Sequence, residues 1–244
     1  MENAILMASG MGTRMHPLTK SVPKPLIKIG NTPMIETLIQ GLNRRGVERI
    51  YIVCGYLGEQ FKYLTQKYTN IQLISNKNYE KVNNVGTLYA AKEVLLKGDC
   101  FICECDLFVQ DTSIFLAEIS ESCYFGKWIK GDSDDWVFEI NDEGIIYRIG
   151  KQGTNCYNMT GVAFFNSNDA KKLYEQLELE VGREGYENLF WDEVVNKYIS
   201  EYQLKIYPVP RNTIIEIDTF EELQEVRRKF LFIKNGDERC NHHL

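Results

Sequence analysis

Residues 7–26, MASGMGTRMHPLTKSVPKPL, combine a glycine-rich turn with closely spaced positive charge. Gly10 and Gly12 would let the backbone approach a ligand and turn successive N–H groups towards it. Arg14 adds a planar, permanently charged guanidinium, and Lys24 adds a point charge between two stiffening prolines. These residue types at this spacing predict a polyphosphate site, where positioning and electrostatics do most of the catalytic work.

Two familiar glycine-rich phosphate motifs fit this stretch poorly. The dinucleotide-binding fingerprint needs a third glycine and an immediate helix, whereas this chain has Met15 and then Pro17. The P-loop needs Gly-Lys-Ser/Thr after its first glycine, and no such sequence follows Gly10. A plain glycine turn with surface charges is the remaining alternative, and the Pro-Lys-Pro sequence at 23–25 argues against it.

Two acidic tripeptides, Glu-Cys-Asp at 104–106 and Glu-Ile-Asp at 216–218, end predicted strands. Carboxylates at the carboxyl ends of strands face the ligand crevice of an open α/β sheet. Asp106 and Asp218 are therefore candidates to share one Mg²⁺, which prefers oxygen ligands and would neutralise phosphate charge. The alternative for Asp218 is to cap the helix that follows it, a role that also suits Asp111.

Sites built from cysteine and histidine are not expected. On a predicted strand, Cys103 and Cys105 lie on one face and Cys100 on the other. The three histidines are at 16, 242 and 243, which argues against a closed zinc site and against Ser-His-Asp or Cys-His mechanisms. The seven cysteines lie mostly in apolar runs, which indicates reduced, buried thiols in a cytoplasmic protein.

Aromatic residues adjoin acidic residues in the second half of the chain. Asp-Asp-Trp at 134–136 precedes a predicted hairpin, and Phe-Trp-Asp at 190–192 opens a predicted helix. Aromatic faces with carboxylates nearby, Glu216 included, suit a quaternary ammonium, whose charge is spread over methyl groups without N–H donors. A primary ammonium would want more direct carboxylate contacts. Core or hairpin packing of Trp136 and Trp191 is the alternative to a binding role.

The elements that must position these residues change in kind near residue 122. Before it, strands alternate with helices, which predicts βαβ units and a parallel sheet; after it, Asn-Asp-Glu-Gly at 141–144 predicts a hairpin. We expect one domain over 1–234, with halves at 1–122 and 123–234, and a disordered polar tail at 235–244. The predicted strands are 3–8, 49–54, 71–75, 100–105, 136–140, 145–149, 159–165, 204–209 and 214–217, and the predicted helices are 33–45, 58–68, 84–96, 169–178, 189–198 and 221–230.

The composition narrows the class of protein. With 244 residues, 44% hydrophobic and 25% charged, the chain is typical of a globular protein. Its formal net charge of −6 provides no general basic footprint for nucleic acid. We see neither a transmembrane run nor a signal peptide, so we expect no membrane partner and a cytoplasmic location. The oligomeric state stays open.

The motif Ala8-Ser9-Gly10-Met11-Gly12-Thr13-Arg14, with Pro-Leu-Thr at 17–19 and Pro-Lys-Pro-Leu at 23–26, resembles the signature of the nucleoside-triphosphate-dependent nucleotidyltransferases. That family makes nucleoside-diphosphate sugars and alcohols. Ser9 stands where Ala or Gly is the norm, and His16 stands where Arg is common. The resemblance implies an α/β fold: a Rossmann-like mixed, mostly parallel sheet flanked by helices, with a small β-hairpin acceptor-site subdomain.

Other segments resemble the bacterial phosphocholine cytidylyltransferases more specifically: GYLGEQF at 55–61, NNVGTLY at 83–89, MTGVAFF at 159–165, LFWD at 189–192 and IIEID at 214–218. This resemblance implies Mg²⁺-assisted transfer of CMP from CTP to phosphocholine, giving CDP-choline and pyrophosphate. The open alternatives are the acceptors 2-aminoethylphosphonate, phosphoethanolamine or a sugar 1-phosphate, and a non-catalytic nucleotide-binding regulator.

The resemblance also implies roles for individual residues. Arg14 and Lys24 would hold the leaving phosphates, and Lys151 would bring in the acceptor phosphate. Phe190 replaces a Tyr used in the family, and Asp135 stands where Glu is expected. The implied metal ligands are Asp106 and Asp218; the implied nucleotide-binding residues are Ala8, Ser9, Gly10, Met11, Gly12, Thr13, Gly55, Tyr56, Asn84, Val85, Gly86, Thr87 and Glu104; and the implied choline-binding residues are Asp135, Trp136, Phe190, Trp191, Asp192 and Glu216.

Overall fold

The computed structural model describes the backbone of residues 1–240 and the side chains of residues 1–230. In chain order its strands are β1 (Glu2–Ala8), β2 (Lys28–Ile29), β3 (Thr32–Pro33), β4 (Arg49–Cys54), β5 (Ile71–Ser75), β6 (Asp99–Glu104), β7 (Leu107–Val109), β8 (Cys123–Ile140), β9 (Ile146–Phe165), β10 (Lys205–Pro208) and β11 (Ile214–Glu216). The α-helices are α1 (Met34–Arg45), α2 (Lys62–Lys67), α3 (Asn84–Ala90), α4 (Ser167–Glu180), α5 (Trp191–Lys197) and α6 (Phe220–Cys240).

A seven-stranded sheet in the order β10-β8-β9-β6-β1-β4-β5 forms the centre of the molecule. β1 is parallel to β4 and β6, β4 is parallel to β5, and β10 is parallel to β8. β9 is antiparallel to both β6 and β8. The sheet is therefore mixed and mostly parallel, which confirms the predicted fold class.

Both faces of the sheet are covered, which explains why residues 4–8 of β1 form an uninterrupted apolar run. Ala4, Leu6 and Ala8 face a core that includes residues of α1 and α2. Ile5 and Met7 face a second core that includes residues of α3, α4 and α5. The strand is thereby fixed on both sides, and the loop that leaves it starts from a rigid position.

Two predicted helices are interrupted. Residues 58–68 begin with a 3-10 helix, Gly58–Phe61, before α2 starts. Residues 84–96 form α3 and then, beyond Ala91, the 3-10 helix Lys92–Leu96. Helical periodicity does not separate these two kinds of helix over so few residues, because both place side chains three apart on similar faces.

The predicted hairpin at 136–149 is only the end of a much longer ribbon formed by β8 and β9. The pairing of the two strands is interrupted by several register shifts. Residues 127–136 of β8 are mostly exposed or half-buried. The sequence signal is weak there because a strand without a buried face has no apolar alternation.

A short ribbon of β7 and β11, antiparallel to each other, was not predicted in full because β7 has only three residues. Its register places Leu107 opposite Glu216, and the Ile217 amide donates to the Asp106 carbonyl at 3.0 Å. This pairing brings the two acidic tripeptides together although they are more than a hundred residues apart in the chain.

Within the described part of the chain, no helix is both long enough and apolar enough to cross a membrane. In the tail expected to be disordered, 235–244, the backbone of residues 235–240 belongs to α6, contrary to that expectation, and 241–244 lies outside the described residues, where the expectation stays a prediction. The cysteines with described side chains are buried and unpaired, as expected; they are Cys54, Cys100, Cys103, Cys105, Cys123 and Cys156.

Candidate active site

A cavity of about 510 Å³ opens where β1, β6 and β11 end, and both halves of the chain line it. Its wall includes the glycine-rich loop, the two acidic tripeptides, the start of α3, the β8–β9 hairpin and the segment before α5. The predicted site residues on this wall are Ala8, Ser9, Gly10, Gly12, Arg14, Lys24, Asn84, Thr87, Glu104, Asp106, Asp135, Trp136, Lys151, Phe190, Asp192, Glu216 and Asp218.

The glycine-rich loop is held by hydrogen bonds on one side and faces the cavity on the other. Gly12 has φ of 59°, and a Cβ there would lie 3.0 Å from the Lys24 Cβ, so glycine is required. The Thr19 hydroxyl donates to the Gly12 carbonyl at 2.8 Å, and the Ser9 hydroxyl donates to the Val53 carbonyl at 3.0 Å. Nothing lies within 4 Å of a Cβ at Gly10, so its backbone is accessible from the cavity.

Lys24 joins the two predicted metal ligands. Its Nζ donates to Asp106 Oδ2 at 2.9 Å and to Asp218 Oδ1 at 2.6 Å, and Arg14 also donates to Asp218 Oδ1, at 2.8 Å. Burial alone would lower the pKa of Lys24, but Asp106 and Asp218 outweigh it and raise that pKa. Lys24 and Arg14 likewise outweigh burial at Asp218 and lower its pKa. Lys24 is therefore a fixed cation at the centre of the site.

Three carboxylates, those of Glu104, Asp106 and Glu216, have oxygens within 4.8 Å of one another. Burial, followed by repulsion from Asp106, raises the pKa of Glu104 well above its usual range. The same two causes, in the same order, raise the pKa of Glu216 to about 8. Asp106 Oδ1 is buried without a hydrogen-bond partner among the described residues. Oxygen donors arranged in this way fit a hard divalent cation such as Mg²⁺.

The capping alternative holds for Asp111 but not for Asp218. The Asp111 carboxylate accepts from the Ser113 amide at 2.9 Å and caps a 3-10 helix. At the start of α6, Thr219 and Glu222 cap each other reciprocally, at 3.2 and 2.9 Å. The side chain of Asp218 is thus left to face Lys24 and the cavity.

The side of the cavity that was predicted to hold the acceptor combines two aromatic rings with a lysine. The rings of Trp136 and Phe190 meet edge to face, with centroids 5.5 Å apart. The Lys151 Nζ lies 5.6 Å from the Trp136 ring centroid, opposite Trp136 in the hairpin register. One face of this tryptophan is therefore already occupied by a cation of the protein.

Carboxylates surround these rings. Asp134, Asp135 and Asp192 all line the cavity with Glu216. Burial raises the pKa of Asp192 to about 7, and its Oδ1 has no hydrogen-bond partner among the described residues. Asp135 Oδ2 accepts from the Asn158 side chain at 3.4 Å. The wall is thus strongly acidic.

Trp191, predicted to bind choline, belongs to the core instead. Its side chain is 3% exposed and packs within the second core. The ring stacks on Tyr124, with centroids 5.7 Å apart, and meets Phe165 at 6.2 Å. The packing alternative is therefore correct for Trp191. As the first residue of α5 it turns towards the sheet, while Phe190 and Asp192 beside it reach the cavity.

Several predicted nucleotide-binding residues do not reach the cavity wall. A Cβ at Gly55 would meet Tyr79 at 2.7 Å, which covers that position, and the Tyr56 hydroxyl donates to the Lys20 carbonyl at 3.4 Å. Val85 is fully buried in the core. Of all the predicted site residues, those that the cavity wall does not include are Met11, Thr13, Gly55, Tyr56, Val85, Gly86 and Trp191.

Gly161 is a site residue that the sequence reasoning did not single out. It lines the cavity with φ of 77°, and a Cβ there would lie 3.2 Å from the Glu104 Cβ. A larger residue would displace Glu104. The signal was a lone glycine inside the apolar run MTGVAFF, which often marks a close approach. Asp134, which the sequence offered as a carboxylate for a primary ammonium, also lines the cavity. The other wall residues without a predicted role are Met7, Pro25, Tyr79, Val82, Asn83, Cys105 and Met159.

Comparison with known proteins identifies the class to which this fold and site belong. Residues 3–121 match the nucleotidyl transferase family. A relative from Lancefieldella rimae, named 2-aminoethylphosphonate cytidylyltransferase, is 47% identical over 95% of this chain and 94% of its own. The chain therefore belongs to the nucleotidyl transferase family, which confirms the predicted family.

More distant relatives are similar over the same extent. The choline-phosphate cytidylyltransferase of Streptococcus pneumoniae is 29% identical, over 91% of this chain and 96% of its own. A solved structure of the CTP:phosphocholine cytidylyltransferase from Streptococcus pneumoniae superimposes with a TM-score of 0.85 and 28% identity, covering 93% of this chain and 98% of that one.

Proposed function

We propose that this protein transfers CMP from CTP to 2-aminoethylphosphonate, releasing pyrophosphate. The observation that best supports this proposal is the acidic acceptor wall, in which Asp134, Asp135, Asp192 and Glu216 line the cavity. A primary ammonium offers three N–H donors, and carboxylates are the acceptors that match them. The Lancefieldella rimae relative, named for this acceptor, is similar over nearly the whole chain.

The aromatic part of the wall is too small for a full cage around a quaternary ammonium. Only Trp136 and Phe190 remain of the three predicted rings, because Trp191 packs in the core. Lys151 also lies over the Trp136 ring. A lysine at this position suits the phosphonate end of the acceptor, and it occupies a ring face on which a trimethylammonium group, which has no N–H donors, would depend.

The residues of this site can handle the charges of the reaction. A phosphonate oxygen attacks the α-phosphorus of CTP in line, the bond from that phosphorus to the bridging oxygen breaks, and pyrophosphate leaves. The attacking oxygen is already anionic near neutral pH, so no general base is needed. Lys24 uses two of its three N–H donors on Asp106 and Asp218, which leaves one for a phosphate oxygen. Arg14 lies beside it on the glycine-rich loop.

We further propose that Mg²⁺ assists the reaction. Asp106 and Asp218 were the predicted ligands, and Glu104 and Glu216 add oxygens next to Asp106. When bound, the ion would neutralise charge on the phosphates. Lys24 and Arg14 hold Asp218, so they fix the direction in which its carboxylate points.

Measuring pyrophosphate release with Mg²⁺ tests the proposal. CTP is compared with UTP, ATP and GTP, and the acceptors are 2-aminoethylphosphonate, phosphoethanolamine, phosphocholine and glucose 1-phosphate. Phosphoethanolamine and phosphocholine differ only in methylation of the nitrogen, so their ratio reads the ammonium site alone. We expect CTP to be preferred, and kcat/KM for 2-aminoethylphosphonate to exceed that for phosphocholine by about 100-fold, equivalent to about 2.7 kcal/mol.

Phosphocholine is the second candidate, because the edge-to-face pair of Trp136 and Phe190 offers aromatic surface near the carboxylates. A higher kcat/KM for phosphocholine than for both primary amines would replace the first proposal with this one. Turnover of glucose 1-phosphate alone would exclude both. Nucleotide binding without turnover of any acceptor would favour a non-catalytic regulator.

A further inference from the structure

Asn84 lies where the two halves of the site meet, and each end of its amide has a defined partner. Its Oδ1 accepts from the Trp191 backbone amide at 2.9 Å. Its Nδ2 donates to Glu104 Oε1 at 3.3 Å. The orientation of the amide is unambiguous, because a backbone N–H can only donate and therefore faces the oxygen.

The two partners of Asn84 belong to opposite sides of the cavity. Glu104 is the last residue of β6 and one of the three clustered carboxylates. Trp191 lies between Phe190 and Asp192, both of which line the acceptor side. One side chain therefore connects the carboxylates at the nucleotide side to the segment that carries the acceptor wall.

The neighbouring backbone supports the same connection. The Asn83 amide donates to the Glu187 carbonyl at 2.8 Å, and the Asn83 side chain donates to the Asn188 carbonyl at 3.1 Å. The Asn83 Oδ1 accepts from the Asn84 amide at 2.8 Å and caps α3. The start of α3 is thus tied to residues 187–191 at several points, and among the described side chains it is that of Asn84 that extends the tie to Glu104.

We infer that Asn84 is a positioning residue that sets the distance between the acceptor wall and the clustered carboxylates, and is not a ligand of the nucleotide. Loss of the Asn84 side chain would release the segment before α5 and leave Glu104 without its donor. Acceptor binding would then weaken, whereas the glycine-rich loop, Arg14 and Lys24, to which the Asn84 side chain makes no hydrogen bond among the described residues, would keep their arrangement. This inference rests on the proposed function only for the choice of acceptor.

Steady-state kinetics of Asn84→Ala test this role. With whichever acceptor the wild-type enzyme turns over best, we expect KM for that acceptor to rise about 10-fold or more and KM for CTP to change less than about threefold. Asn84→Asp is the second variant, because it keeps an oxygen for the Trp191 amide but removes the N–H that donates to Glu104. We expect it to be folded and to raise the same KM.

Asn70→Ala is the matched control. Asn70 is also half-buried, and its Nδ2 bridges Asn43 Oδ1 and the Val47 carbonyl at 2.9 and 3.1 Å, away from the cavity. We expect Asn70→Ala to lower Tm without changing either KM.

A rise in KM for CTP at least equal to that for the acceptor would overturn the inference and make Asn84 a nucleotide ligand. Unchanged KM values in both Asn84 variants would also overturn it. If phosphocholine gave the highest kcat/KM of the acceptors, the proposed substrate would be wrong. The test of Asn84 would still apply, because it uses whichever acceptor the wild-type enzyme turns over best.

Discussion

At the scale of single residues, Lys24 holds the site together, because its Nζ donates to Asp106 at 2.9 Å and to Asp218 at 2.6 Å. Asp106 and Asp218 lie close together, as their positions at the ends of predicted strands suggested, but the ion pairs that both form with Lys24 were not predicted. Trp191 is not on the wall, because whether a helical side chain faces a core or a cavity depends on how the helix is rotated against the sheet. That rotation is a tertiary property, which neither residue type nor spacing reveals.

Replacing Lys24 by methionine should reduce catalysis far more than folding. Lys24→Met keeps the apolar stem but removes the cation between Asp106 and Asp218, so kcat/KM for CTP should fall by about 100-fold to 1,000-fold. Lys20→Met, at an exposed lysine of the same segment, is the control and should lie within about threefold of wild type. Lys24→Met kinetics resembling those of Lys20→Met would remove Lys24 from the catalytic machinery.

At the scale of elements, strong hydrophobic periodicity predicted the positions of strands and helices well. The contacts between elements could not be predicted from the sequence. The predicted strands at 49–54 and 71–75 match β4 and β5 in full. Nothing in the sequence indicated the polar contact between α1 and α2. Glu36, buried in the first turn of α1, accepts from Tyr63 at 2.9 Å, from Tyr68 at 2.8 Å and from Lys67. A carboxylate buried on the core side of an amphipathic helix becomes explicable only when its donors are known.

Glu36→Gln should destabilise the protein at neutral pH and much less in acid. Burial would raise the pKa of Glu36, but Lys67 and the two tyrosines outweigh it and lower that pKa. The stabilisation by the carboxylate is therefore complete above the ordinary glutamate pKa and is lost as pH falls through the lowered value. We expect a loss of about 2–3 kcal/mol at pH 7 by urea unfolding, shrinking as pH falls below about 4.5. A difference that is constant from pH 7 to pH 3 would contradict this account.

At the scale of the whole molecule, the two halves of the chain share one sheet. β6 of the first half pairs with β9 of the second, from Cys100 opposite Phe165 to Cys103 opposite Val162. The sequence predicted both halves but not this junction, because strand pairing between distant segments depends on complementary edges and carries no local signal. The β7–β11 ribbon is a second long-range pairing of the same kind.

A shared sheet predicts a single unfolding transition. Every tryptophan lies in the second half, at 128, 136 and 191, so tryptophan fluorescence reports that half, while far-UV circular dichroism reports both halves. We expect the two urea unfolding curves to coincide in midpoint and slope. Separate midpoints would show that residues 1–122 and 123–234 unfold as independent domains.

The parts of the cavity proposed for the triphosphate and for the acceptor come mostly from different elements, and this separation has a consequence for evolution. In the proposed reaction, the residues that would act on the triphosphate follow β1 or end β6 and β11, whereas most of the proposed acceptor wall comes from the β8–β9 hairpin and residues 190–192. Substitutions in the hairpin, much of which is exposed, cost little stability and leave the charges around the triphosphate in place. Substitutions at a few wall positions can thus change which acceptor is bound during evolution, while the residues proposed to act on the triphosphate stay the same.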